Sequence, residues 1–134
     1  MKSYIIELTR TLTKKEPVSM EKVVGFQKNA GFELPLDYKE FLVLSNGAEG
    51  FVGENSYVML WTLDELMEFN KAYQVPLYVP ELFLFGSDGG GEAFAFNKKD
   101  KMKIVKVPFV GMDISLAQSL GSTFIEFLEN LRKV

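Results

Sequence analysis

At 134 residues, with 47% apolar and 25% charged side chains, the chain fits one globular domain, and this apolar content excludes extended disorder. A net charge of −3 argues against a general phosphate-backbone binder, which needs a basic face. The absence of Cys excludes disulfides and thiolate metal sites, and the absence of His removes the commonest general base at neutral pH and the usual zinc ligand.

Along the chain, Met1-Lys2-Ser3-Tyr4-Ile5-Ile6-Glu7 breaks its apolar run with a carboxylate almost at once. It reads as a short strand or helical turn, and as neither a signal peptide nor a membrane span. A soluble, cytoplasmic protein is expected. Ser19 is placed to cap a helix in which Met20, Val23, Phe26 and Ala30 share one side, and Gly31 to end it in the left-handed conformation. A second helix follows, with Pro35 in its first turn and Tyr38, Phe41, Leu42 and Ser45 at i, i+3, i+4, i+7. Asn46-Gly47 is expected to stop it, since both residues tolerate positive φ.

Ser56 to Trp61 has the composition of a buried strand. Thr62-Leu63-Asp64-Glu65 is a capping box, opening a helix whose expected apolar side is Leu63, Leu66, Met67 and Tyr73. Pro76 and Pro80 mark an irregular connection. Leu82 to Phe85, Ala93 to Phe96 and Lys103 to Val107 read as strands. A glycine-rich turn joins the first two, and Asn97-Lys98-Lys99-Asp100 makes a polar hairpin between the last two. Ser122 is expected to cap a closing helix with Phe124, Phe127, Leu128 and Leu131 at core spacing.

Helices at the front, antiparallel strands in the middle and a helix at the end give an α+β fold: a single-layer, mainly antiparallel sheet with helices packed against it, as one domain over residues 1–134. One apolar stripe per helix predicts that the helices cover one sheet face, leaving the other face or an edge free for a partner.

Three ordered segments carry a family resemblance. Leu34-Pro35-Leu36-Asp37-Tyr38-Lys39-Glu40-Phe41-Leu42, running into Ser45-Asn46-Gly47-Ala48-Glu49-Gly50, resembles the LP-x-x-Y-x-x-F-L … N-G signature of SUKH domains. That superfamily includes the Smi/Knr cell-wall regulators of yeast and many bacterial immunity proteins. Phe85-Gly86-Ser87-Asp88-Gly89-Gly90-Gly91-Glu92-Ala93-Phe94-Ala95-Phe96 is similar to its G-x-D-G-G-G turn and following strand. Ser122-Thr123-Phe124-Ile125-Glu126-Phe127-Leu128 is similar to its closing S-F-x-x-F-L helix, and Leu60 to Leu66 matches its middle section. Ala48 stands where the motif often has a second Gly, and Glu92 where Asp or Asn is common.

The resemblance implies a domain that works by binding, without chemistry or a cofactor of its own. It implies an immunity protein that neutralises a cognate protein toxin, in some cases a nuclease; a regulatory scaffold like the fungal wall regulators is the alternative. Such scaffolds tend to carry long disordered flanks, which these 134 residues lack, and this favours the immunity reading. The residues expected at the partner surface are Asn46, Gly47 and Glu49 in the first motif, Glu54 just beyond it, and Asp88 and Glu92 in the glycine turn. Glu49, Glu54, Asp88 and Glu92 are expected in loops, where they would form an acidic rim that meets a basic toxin and speeds encounter.

Plainer readings stand beside these. The glycine turn is not a P-loop, because no Gly-Lys-Ser/Thr follows it and the next element is a strand; a tight bend that only Gly fits explains it without any ligand, and no metal is expected there. Lys98, Lys99, Lys101, Lys103 and Lys106 lack interleaved stacking aromatics, so they read as a solvated hairpin edge and not as a nucleic-acid site. Tyr57 and Trp61 read as core, with an interface anchor as the sharper alternative for Trp61.

Overall fold

Local signals and tertiary packing agree over the N-terminal helices. In the computed structural model, which describes residues 1–134, α1 spans Lys2–Leu8 and buries Ile5 and Leu8. A two-residue strand β1 (Thr13–Lys14) follows. The next helix, α2 (Met20–Ala30), opens where the Ser19 side chain accepts the Lys22 N–H, and closes on Gly31 at φ 82°. Of its expected stripe, Val23 is buried and Met20 exposed.

Helix α3 (Leu36–Leu42) buries Asp37, Tyr38, Phe41 and Leu42. It ends at Leu42, before Asn46-Gly47. Only Gly47 of that pair takes positive φ, at 89°. Ser45 is buried and receives the Lys15 N–H, tying the end of this motif to the β1 segment.

The capping box is formed as written in the sequence: Thr62 Oγ1 accepts the Glu65 N–H and Glu65 Oε1 accepts the Thr62 N–H, opening α4 (Leu63–Ala72). Its inner stripe differs from expectation. Leu63, Leu66 and Asn70 are buried, while Met67 and Tyr73 are exposed. The helix is turned by a polar residue: Asn70 donates to the Leu84 and Leu66 carbonyls and accepts the Leu84 N–H, all at 2.7–2.8 Å. A one-turn helix, α5 (Val75–Tyr78), occupies the connection around Pro76, which is tolerated in a first turn. The closing helix α6 (Phe124–Lys133) is capped by Thr123, one residue later than expected, while the Ser122 N–H is received by Glu126.

The remaining strands are β2 (Ala48–Val52), β3 (Ser56–Leu60), β4 (Leu82–Ser87), β5 (Glu92–Asn97), β6 (Lys103–Pro108) and β7 (Gln118–Gly121). All seven strands form one antiparallel sheet in the order β1-β2-β3-β4-β5-β6-β7. β1, β2 and β7 lack a sequence signal because Gly and polar residues lower their intrinsic β preference; pairing with a neighbour supplies it. β6 is an interior strand, so its lysines do not guard an edge. Lys98 instead stands over the Phe32 ring, and Lys103 pairs with Asp100.

The period-two alternation of strands sorts the side chains. Phe83, Phe85, Phe94 and Phe96 turn toward α2, α3 and α6, where they meet Phe26, Tyr38, Phe124 and Phe127 at ring separations of 5.0–6.1 Å. A bulge between Leu84 and Gly86 shifts the register, so that Gly86 stands opposite Phe94. Ala48, Val52, Val58 and Leu60 continue this core across β2 and β3 and are fully or almost fully buried. Ala93 and Ala95 point to the opposite side and are also fully buried. α4 and α5 pack against β4, with Asn70 bonding the Leu84 backbone along the strand edge that β3 leaves free. What stays uncovered is the far face of the β2–β3 hairpin.

Candidate functional site

Strand register places Glu49, Phe51, Tyr57 and Met59 on that uncovered face, alternating with the buried Ala48, Val52, Val58 and Leu60. Phe51 is 51% exposed and Met59 37%, a level of apolar exposure the sheet does not repeat elsewhere. Phe51 and Tyr57 stand edge to face at 5.1 Å. The Tyr57 hydroxyl donates to Glu49 Oε2 at 2.8 Å. This bond, then partial desolvation and the Glu49 charge, raise the Tyr57 pKa above its ordinary value. The carboxylate is thereby held against the strand in one orientation, with its other oxygen available.

The glycine turn folds over the same hairpin. Gly89 takes φ 80°, and a Cβ built there would lie 2.9 Å from the Tyr57 ring. Asp88 Oδ1 accepts the Gly90 and Glu92 amides at 2.8 and 3.2 Å, so this side chain shapes the turn from within. Gly86 approaches β3 so closely that a Cβ would lie 2.6 Å from the Met59 carbonyl oxygen. The turn is a backbone-determined bend packed onto Tyr57.

Between this hairpin face, the turn and α4 lies a cleft of about 530 Å³. Its lining joins Glu49 and Met59 to Gly89–Gly91, to Glu65, Phe69 and Tyr73 of α4, and to Phe109. An aromatic chain runs along it: Trp61 against Phe69 at 4.7 Å, and Tyr73 against Phe109 at 4.6 Å. Lys15 enters at the rim and forms no ion pair with Glu49 or Glu65.

The six residues expected at a partner surface therefore divide. Glu49 lies within a strand, not a loop, and lines the cleft with Gly89–Gly91, whereas Asp88 and Glu92, at the two ends of the turn, do not line it. Glu92 begins β5, opposite Pro108. Glu54 is exposed at the far tip of the β2–β3 hairpin, where the neighbouring Gly53 abuts the Arg132 backbone. Asn46 and Gly47 are engaged inside the fold. Asn46 Oδ1 accepts the Leu63 N–H at 2.7 Å, capping α4 from outside, and a Cβ on Gly47 would lie 2.6 Å from the Leu60 carbonyl oxygen. Asp37 does the same for the closing helix, accepting the Ile125 N–H at 2.9 Å.

Trp61 is buried at the wall of the cleft, and Tyr57 is half-buried on the free face rather than in the core. Phe51, Phe69, Tyr73 and Phe109 escaped the sequence reading as a group. The alternation of Glu49 and Phe51 with Ala48 and Val52 is a two-period signal that the intervening Gly50 obscured.

No three acidic side chains converge in a way that would hold a metal ion. No helix is long and apolar enough to cross a membrane.

Residues 17–130 match the family described as the SMI1 / KNR4 family (SUKH-1). A 62-residue stretch is 32% identical to the uncharacterized protein YnaB of Bacillus subtilis (strain 168). That match covers 46% of this chain and 40% of the relative, so the chain spans well under half the length of the protein it resembles.

Proposed function

This chain belongs to the SMI1/KNR4 family (SUKH-1), and on that premise we propose that it is an immunity protein, which neutralises a cognate bacterial toxin by binding it. The observation that carries this reading is the uncovered β2–β3 face, where Phe51 and Met59 are exposed beside a carboxylate fixed by Tyr57. Exposed apolar and aromatic groups around an oriented charge have the composition of a protein interface centre.

The proposed contact surface is Glu49, Phe51, Tyr57 and Met59, continued across the cleft by the Asp88–Glu92 turn, with Glu54 at its rim. A strand face needs no reordering to bind, which limits the entropy lost on association. The carboxylates Glu49 and Glu54 would meet basic groups of the toxin, such as those that hold a nuclease's phosphate substrate. Asn46 and Gly47 contribute by holding the first motif in shape rather than by contact. The chain itself performs no bond-making step in this proposal, and its location is the cytoplasm, where a toxin-producing cell needs protection.

Co-expression with the protein encoded beside this chain's gene tests the reading. Growth restored by the native chain, and lost again with Glu49→Lys or Phe51→Lys, is the expected result. Equal protection by all three chains, or by none, would remove the proposal.

A further inference from the structure

A second groove, of about 600 Å³, lies between Ala30 and Phe32 at the end of α2 and the α4–α5 turn, and it shares no lining residue with the cleft beside Glu49. Its floor is apolar. Val75 and Leu82 are buried, and Phe32 stands edge-on to Phe83 at 4.9 Å. Its walls are Met67 and Leu77, 48% and 69% exposed. The only charged side chains that line it are Lys71 and Lys98; no carboxylate does. In a chain with 18 acidic and 15 basic residues, that selection runs against the overall balance. Neither lysine is ion-paired, and the Lys98 ammonium is held 5.4 Å from the centre of the Phe32 ring, above the apolar floor.

The groove is also preformed. Asn70 pins α4 to Leu84 through the backbone, and Gln74 fixes the α4–α5 turn in the left-handed region at φ 56°, where a non-glycine residue is uncommon.

We propose that this groove binds a small apolar carboxylate, a medium-chain aliphatic acid whose chain lies along Phe32, Phe83 and Leu77 and whose carboxylate meets the Lys71 and Lys98 ammonium groups. A neutral chain would leave both ammoniums without a counter-charge, and a small hydrophilic anion would leave Met67 and Leu77 in water. Only a ligand with both parts uses the whole site. The volume is within the usual range for small-molecule pockets, and the two exposed ammonium groups add a solvent-screened attraction to the apolar contact.

The test is a nuclear magnetic resonance titration of the whole chain with decanoate below its micelle concentration, following the Met67 and Leu77 methyl groups, with acetate and decanol as controls. The expected result is saturable shifts at these methyls with decanoate, and binding weaker by about tenfold or more with either control and in a Lys71→Gln/Lys98→Gln variant of unchanged amide spectrum. Either single variant serves if the double one misfolds, with a smaller loss of the same sign. No saturable shift, shifts centred on another face, or undiminished affinity in the lysine variants would overturn the proposal. So would capture by anionic lipid vesicles without binding of the free acid, which would assign the patch to a membrane surface instead.

Discussion

The Tyr57 hydroxyl and the Glu49 carboxylate are joined by a 2.8 Å hydrogen bond on the uncovered face of the β2–β3 hairpin. Two residues apart from direct register, they form a diagonal pair, within the reach expected of a long aromatic side chain. The bond donates the phenolic proton to an ionised partner, so it opposes phenolate formation. Glu49→Gln should therefore lower the Tyr57 pKa toward its ordinary value near 10, read as an earlier rise in tyrosinate ultraviolet absorbance relative to the native chain. An unchanged titration curve would show that the carboxylate does not hold the ring.

Tyr38 makes the opposite kind of prediction. Its ring packs among Phe41, Phe85, Phe96 and Phe124, and its buried hydroxyl has no hydrogen-bond partner. Burial pushes its pKa far above the ordinary tyrosine value. Since an unsatisfied buried hydroxyl costs free energy, Tyr38→Phe should stabilise the fold by about 1 kcal/mol in urea unfolding at neutral pH. The sign with pH follows from the raised folded value. Below about pH 10 the phenol is protonated in both states and its pKa shift leaves stability unchanged; above that the unfolded chain alone releases the proton, so stability falls as pH rises. The Phe variant should lose stability less steeply over that alkaline range.

Asn70 is the one polar side chain on the inner stripe of α4, and it satisfies both backbone groups of Leu84. Asn70→Ala leaves that N–H and C=O unpaired inside the protein. The expected cost is about 3 kcal/mol or more, seen as a lower urea midpoint with an unchanged slope. A loss below about 1 kcal/mol would mean that α4 is held by its apolar contacts alone.

The glycines separate backbone necessity from partner contact. Gly47→Ala places a Cβ 2.6 Å from the Leu60 carbonyl oxygen at φ 89°, and Gly86→Ala one 2.6 Å from the Met59 carbonyl oxygen. Both should destabilise by more than about 2 kcal/mol. Gly91→Ala meets nothing within 4 Å and should leave the melting temperature nearly unchanged. Thermal unfolding of the three variants side by side checks the contrast.

These cases also show where sequence reasoning reached and where it stopped. The capping box at Thr62, the Gly31 terminator and the Phe124-to-Leu131 stripe are local signals, and local chemistry fixes them. The ordered motifs around Tyr38, the glycine turn and Phe124 were enough to identify the family. β7 is illegible because its order comes from a pairing partner distant in sequence, as in Ile104 opposite Gly121, and β2 because Gly50 interrupts its alternation. Asn46 read as a helix stop because its nature suits one; its actual work, capping α4 at Leu63, is a tertiary contact that no spacing encodes. The same holds for the surface. Glu49 stands out in the sequence by its charge, but the face it shares with Phe51, Tyr57 and Met59 exists only once the hairpin is paired.

The central claim is that the hairpin face is a ready-made binding surface for a protein partner. Calorimetric titration of the native chain and of Glu49→Lys and Phe51→Lys, each shown to be folded, against the protein encoded beside this gene measures it most directly. The account predicts saturable binding by the native chain and a loss of at least about tenfold in affinity, roughly 1.4 kcal/mol, in each variant. Equal affinity in all three chains would contradict it.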